Sequence, residues 1–395
     1  MIPLSKDEIL SLYIHIPFCS SKCDYCSFYS ITNYSIYVDR FFEKIKNELT
    51  EVVNHLNNPF ETIFIGGGNP PLLGLNNLKE LIKIATTNGK AKEITIESNP
   101  ENFTEEFLEL RDVGVTRFSL GIQSLNEKHL KTLGRNSSLK DNLKALKLAS
   151  SYKDIYFNID LITTIPNQSI EECKEDVDKI INLVNPSHIS LYDLTYEEGT
   201  LLAKKADTKL IKPLDDDQMG DMLLAMWNYL EQKGYEQYEV SNFAKSKKLR
   251  SQHNELTWQL KNYLGLGPSA VSTIGKTRIS SIESVSNYVT TPLFSTYEIE
   301  ELDTFTKMEE FLLVQLRLKE GLDKKLWFKM FKTDFDETFS EVITPLIKSA
   351  PHLFKEDKKY LILTKEGLVI SDAIVVRMIS HLELLLDSEK MHVVP

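Results

Sequence analysis

A repeated alternation of short β-rich runs with amphipathic helical stretches constrains this chain more than any other feature. Strand-like runs fall at 12–16, 62–65, 93–97, 117–122, 156–162 and 188–194. Helical patterns follow them. Residues 37–56 carry apolar side chains at Phe41, Phe42, Ile45, Leu49, Val52 and Val53, and 78–86, 105–113, 139–149, 169–184 and 215–233 are similar. Six strand–helix units at intervals of about 30 residues predict an α/β fold of parallel strands joined by right-handed crossovers. After about residue 235 the alternation stops. Residues 235–248 read as irregular or extended, and Gly265, Gly267 and Pro268 mark a turn-rich segment. Helical patterns return at 308–318, 324–331, 335–349 and 368–386, with a short strand at 360–363. Three units are expected: 1–235, an extension over 236–299 packed on the first, and a helical, winged-helix-like domain over 300–395, with the boundary near 292–304.

The charge balance excludes some functions. With 57 acidic against 46 basic residues the chain carries a formal charge of -11, which disfavours a general grip on nucleic acid. No apolar run approaches the roughly 20 residues needed to span a bilayer, so membrane contact is expected to be peripheral at most. The start, Met1-Ile2-Pro3-Leu4-Ser5-Lys6-Asp7-Glu8, lacks the basic-then-apolar pattern of a secretory signal. A cytoplasmic location with reduced thiols is therefore expected.

Cysteine usage is uneven. Cys19, Cys23 and Cys26 form a C-x3-C-x2-C loop directly after the first strand, and Cys173 stands far away in an acidic helix. Clustered thiols in a reducing compartment read as a metal or cluster site. Thiolates hold Fe–S clusters, and a cubane normally takes four of them, so three leave one iron open. The alternatives are a Cys3His zinc site completed by His15, or a chance group of buried thiols. Cys173 reads as a packed core thiol.

Other polar groups gather where strands end. The second strand runs into Gly66-Gly67-Gly68-Asn69-Pro70, where missing side chains let a ligand approach the main chain. The third ends at Glu97, the fourth at Gln123, and the fifth carries Asp160. Each alone reads as an ordinary hydrogen-bonded group. Together they match the C-terminal strand ends of a barrel, where catalytic groups collect.

These residues resemble the radical S-adenosylmethionine (SAM) superfamily, and within it the coproporphyrinogen dehydrogenase-like branch. The resemblance runs through 13–28, 66–70, 97–100, 119–124, Leu133-Gly134-Arg135, 158–162, 190–192, 197–200, 234–244, His253-Asn254, Trp258 and 265–267. Residues 234–244 and 253–258 resemble the HemW heme chaperones in particular. The resemblance implies a partial (β/α)6, TIM-like barrel. It implies a [4Fe-4S] cluster on Cys19, Cys23 and Cys26, whose open iron is chelated by SAM. Tyr13, Gly67, Gly68 and Asn69 are then expected at the methionine end of SAM, and Glu97, Gln123, Arg135 and Asp160 along the rest. An electron donor for the cluster, heme or another porphyrin as cargo, and a heme-accepting protein are the implied partners.

Two readings compete: a SAM-dependent oxidative decarboxylase of coproporphyrinogen III, and a heme carrier that keeps the SAM fold. The decarboxylases have a further cysteine two places after the third, and a long segment before the loop. Here that position is Phe28, and 18 residues precede Cys19. Both features favour the carrier. A heme iron needs an axial ligand. His253 is the candidate, with Trp258 as an apolar face, against the plain reading of a hydrogen-bonded histidine; His15 is the weaker candidate. The chain also departs from its branch. Asn69 stands for the usual Thr, Ser137 for His, Thr163-Thr164 for Tyr-Gly and Thr257 for Tyr.

Overall fold

The computed structural model describes residues 4–355 and 357–387. The start of the N-terminal stretch and the end of the expected C-terminal domain, 1–3 and 388–395, lie outside them. A 12-stranded sheet forms the body. Its centre is six parallel strands in sequence order: β1 (Ser11–Ile16), β2 (Thr62–Gly67), β3 (Glu93–Ser98), β4 (Arg117–Gln123), β5 (Tyr156–Thr163) and β6 (His188–Asp193). Crossovers are made by α1 (Val38–His55), α2 (Leu75–Ala85), α3 (Glu105–Leu108), α4 (Glu127–Thr132), α5 (Leu139–Ser150) and α6 (Ile170–Leu183). Then come α7 (Leu201–Asp207) and α8 (Asp216–Gln232). Ser138, Ser169 and Asp215 start α5, α6 and α8 with reciprocal capping boxes to Asp141, Glu172 and Gln218. Two otherwise unmade hydrogen bonds are thereby satisfied at each start.

Strand alternation explains the barrel. Ile14, Ile65, Ile96, Leu120, Ile159 and Ile189 are fully buried. The alternate residues Phe64, Thr95, Glu97, Ser119, Asn158, Asp160, His188 and Ser190 line an interior cavity of about 130 Å³. Parallel strands usually read as continuous apolar runs because both faces are buried in side chains. Here the second face borders a polar lumen, and the strands alternate.

The segment after α8 extends both edges of the sheet. Strands β7 (Glu236–Glu239) and β8 (Asn242–Ala244) add to β6, with β8 antiparallel to it. Helix α9 (Gln252–Trp258) leads to β9 (Tyr263–Leu266), which pairs parallel to β1. Strands β10 (Val271–Ile274), β11 (Thr277–Ser281) and β12 (Tyr297–Glu301) follow antiparallel, with α10 (Val285–Thr290) between the last two. The turn-rich reading of Gly265 missed a strand. A methyl on Gly265 would lie 2.3 Å from the Val271 carbonyl oxygen, so glycine permits the tight β9–β10 return.

Beyond lie α11 (Thr304–Gln315), β13 (Leu322–Asp323), α12 (Lys324–Phe331), α13 (Phe335–Ser349), β14 (Phe354–Lys355), β15 (Tyr360–Leu363), α14 (Lys365–Val369) and α15 (Ser371–Asp387). The three strands pair antiparallel in the order β13-β15-β14. Trp327 is the centre of this unit, with Phe311, Phe331, Phe335 and Phe339 at ring distances of 5.5, 4.6, 5.6 and 5.3 Å. The single helix expected over 368–386 is instead two, broken at Ile370. The unit is docked through the main chain. Val240 N–H donates to the Arg317 carbonyl at 2.9 Å, and Lys319 N–H to the Tyr238 carbonyl at 3.1 Å. Glu231 of α8 takes Lys319 and Lys365 at 2.8 and 2.6 Å. Among the described residues no helix is long and apolar enough to cross a membrane.

Candidate cluster and SAM site

A cavity of about 740 Å³ opens over the C-terminal ends of the strands. Cys19, Cys23, Cys26, Gly67, Gly68, Glu97, Gln123, Arg135 and Asp160 all line it. Nine of the residues singled out from the sequence are thus brought together, from five separate strand ends.

The cysteine loop is held tightly. Cys19 N–H donates to the Ile31 carbonyl at 3.0 Å, and Asp24 N–H to the Leu133 carbonyl at 3.0 Å. Arg135 reaches Cys23 Sγ at 3.5 Å, Asn99 Oδ1 at 3.1 Å and the Gly121 carbonyl at 2.8 Å. Burial pushes the Cys19 thiol up to about 11 and raises Cys26 as well. Thiols so placed lose their protons to a bound positive centre.

The zinc reading fails on His15. Its Nε2 lies 2.9 Å from the Tyr29 carbonyl, so that nitrogen carries the proton, and its Nδ1 accepts from Tyr13 Oη at 2.9 Å. Both ring nitrogens are spent. Three thiols facing one cavity beside a guanidinium suit a multi-iron cluster held from one side.

Each glycine of the triplet admits a particular neighbour. A methyl on Gly66 would lie 2.6 Å from Glu97 Oε2, and one on Gly67 would lie 2.6 Å from the His15 ring. On Gly68 it would meet the Phe18 carbonyl oxygen at 2.6 Å and Cys19 Sγ at 3.0 Å. The loop therefore rests directly on bare backbone. Glu97 accepts from Gly67 N–H at 3.1 Å. Its carboxyl is pushed up to about 8, chiefly by burial and then by the Asp160 charge. Burial also raises Asp160, against hydrogen bonds from Ser119 (2.9 Å) and Asn158 (2.8 Å). Gln123 sits at a register shift in β4 with φ 64°, which turns the strand end toward the cavity.

Three expected residues lie off the cavity wall. Tyr13 holds His15 and packs on Phe64 at a 6.1 Å ring distance. Asn69 is fully buried; its amide donates to Asn102 Oδ1 at 2.7 Å and its oxygen accepts from Asn99 N–H at 3.0 Å, stapling the β2 and β3 ends. His253 is 8% exposed at the other end of the strands, with Nδ1 2.8 Å from Thr62 Oγ1. Thr62 opens β2 and Gly67 closes it, a span of about 17 Å at the usual strand rise. Burial lowers the His253 ring to about 4, so it is neutral. Cys173 is buried against Thr163 Oγ1 at 3.4 Å, a core thiol as expected.

The departures have local accounts. Thr164 has φ 61°, a left-handed conformation strained for a β-branched residue, and its hydroxyl accepts from Leu194 N–H at 2.9 Å. Ser137 Oγ is buried without a partner. Thr257 Oγ1 donates to the His253 carbonyl at 3.1 Å. The sequence reading missed the far wall, made by Arg317, Leu368, Val369, Ser371 and Asp372. Nothing in their local pattern ties them to a loop some 300 residues earlier.

Comparisons with known proteins agree with this geometry. The radical SAM superfamily profile matches residues 13–180, and the HemN C-terminal domain profile matches 302–370. Fold and site together define a radical SAM protein, and that class carries a [4Fe-4S] cluster and SAM. The solved Escherichia coli coproporphyrinogen III oxidase, HemN, shares the fold, with a TM-score of 0.78 at 22% identity over 95% of this chain and 91% of its own. The Lactococcus lactis heme chaperone HemW is 31% identical over 365 residues, 90% of this chain and 94% of its own. The Escherichia coli heme chaperone HemW is 37% identical over 267 residues, 66% of this chain and 69% of its own. The Danio rerio radical S-adenosyl methionine domain-containing protein 1, mitochondrial, is 28% identical over 397 residues. The chain belongs to the HemW family.

Proposed function

We propose that this chain is a heme carrier that binds SAM beside a [4Fe-4S] cluster and passes heme to an acceptor protein. The observation that carries the reading is the likeness, over 90% of the chain, to a named heme chaperone. Phe28, two places after the last loop cysteine and 67% exposed, supports it over the decarboxylase reading.

Cys19, Cys23 and Cys26 are the proposed cluster ligands. When bound, the cluster supplies the electron that cleaves SAM reductively. The remaining work belongs to the chain. Arg135 offers a fixed guanidinium to a carboxylate or a thiolate. Glu97 and Asp160 offer carboxylates to an ammonium or to ribose hydroxyls. Gly67 and Gly68 let a ligand reach the main chain, and Gln123 presents an amide from the β4 turn. Tyr13 and Asn69 act through neighbours: Tyr13 fixes His15, and Asn69 fixes the Asn99 loop on which Arg135 rests.

Heme is proposed to ligate through His253. Its Nδ1–H faces Thr62, which leaves Nε2 as the nitrogen with a free lone pair. Its burial means that α9 must move for a macrocycle to reach it. Trp258, on the same helix, lines the cavity and supplies an apolar face. An electron donor and a heme-accepting protein complete the scheme. Heme titration of the wild type and H253A tests the ligand: a Soret band that shifts or is lost in H253A supports it, and an unchanged spectrum and affinity removes His253.

A further inference from the structure

We propose that Lys205 is a positioning residue for the cluster, acting through Asp24, the acid set between two of the three loop cysteines. The inference rests on the cluster reading above. Asp24 is 9% exposed and its Oδ2 lies 2.5 Å from Lys205 Nζ. Its main chain is gripped from both sides: Asp24 N–H donates to the Leu133 carbonyl at 3.0 Å, and its carbonyl accepts from Leu202 N–H at 2.8 Å. A methyl on Gly134 (φ 64°) would meet Asp24 Oδ1 at 2.4 Å, so the carboxylate also packs on bare backbone there. The acid is held in place by four separate contacts, and one of them is a cation from a helix 181 residues away in sequence.

Two consequences follow from the charges. The loop carries one buried carboxylate next to Cys23, and a carboxylate beside a redox centre disfavours the added electron. Lys205 offsets that charge. Arg135 does the same for Cys23 from the other side, at 3.5 Å. The loop also sits on a hydrophobic cluster separate from the main core, made by Leu133, Ile162, Ile165, Leu194 and Leu202, with Tyr25 packed on it. Lys205 and Leu202 both belong to α7, and Leu194, Thr195 and Glu197, just before that helix, line the cavity. The segment from β6 to α7 therefore joins the cavity rim to the back of the cysteine loop. Lys205 closes that connection with a charge as well as with packing.

The test is a charge cycle read by potential rather than by turnover. Wild type, K205M, D24N, K205M/D24N and K205R are reconstituted anaerobically and taken through a redox titration in one buffer, with the reduced cluster followed by electron paramagnetic resonance. K205M is expected to lower the midpoint potential and D24N to raise it. The double variant is expected to return toward wild type, because both charges are gone, and K205R to stay near it. A role in packing alone would lower iron retention in K205M and in the double variant alike, with no ordered change of potential. Equal potentials across the reconstituted variants overturn the inference while leaving the cluster in place. A wild type that takes up no iron overturns the cluster reading and this inference together.

Discussion

Gly68 and Glu97 show how much of the site depends on single atoms. A methyl on Gly68 has no room against the Phe18 carbonyl or Cys19 Sγ. G68A is therefore expected to displace the loop, and iron bound per chain after reconstitution should fall several-fold with little loss of helicity; full iron loading would show that the loop gives way. Glu97 is held up to about 8 by burial and by the Asp160 charge. In the empty site near neutral pH it is mostly protonated. A ligand that hydrogen-bonds to the carboxylate must expel that proton, so SAM affinity should rise from about pH 6 to about pH 9. Calorimetry in buffers of different ionisation heat should register the released proton, and E97Q should abolish both effects. For the empty protein the sign is opposite. The raised carboxyl's contribution to stability is fully present below its ordinary value of 4.5 and is lost as pH rises through about 8.

Among the elements, α1 is joined to α10, to β12 and to the loop between them by a buried polar lock. Glu48 is fully buried and accepts from Tyr288 at 2.5 Å, Tyr297 at 3.0 Å and Phe294 N–H at 3.1 Å. Lys44 lies 3.4 Å from it and caps the Thr291 and Pro292 carbonyls at 2.9 and 2.6 Å. E48A leaves a buried ammonium without its counter-charge and two phenols without their acceptor, at a cost of about 3 kcal/mol or more. Thermal unfolding should show a drop of several degrees, and an unchanged Tm would mean that water replaces the carboxylate. The six β/α units were legible in the sequence because strand period, helix period and spacing agree. Strands β9 to β12 were not, since each has five residues or fewer, β9 contains Gly265, and β12 is a Glu-rich edge with Ile299 exposed. Strand β9 is held by pairing with the distant β1, a contact with no local signature, and β10 to β12 build outward from it. The cysteine loop, by contrast, was legible from three residues, because ligand spacing is itself local. His253 was only half legible: the motif marks the residue, but its place at the far end of the barrel depends on α9 packing against β2.

At the scale of the whole molecule, the C-terminal unit walls the cavity and shares its apolar core with the barrel. A single cooperative unfolding transition is expected for barrel and C-terminal unit alike, and two separate transitions by calorimetry would show that they are independent. The wall set by α14 faces the cysteine loop across the cavity, so a ligand held at the thiols lies between the two units. The most direct measurement follows both fates in one anaerobically reconstituted sample. Heme is titrated and transferred to an acceptor, and coproporphyrinogen III is then offered with SAM and a reductant. The account predicts saturable heme binding, release to the acceptor and no protoporphyrinogen IX. Sustained SAM-dependent formation of protoporphyrinogen IX, without heme binding, would contradict it.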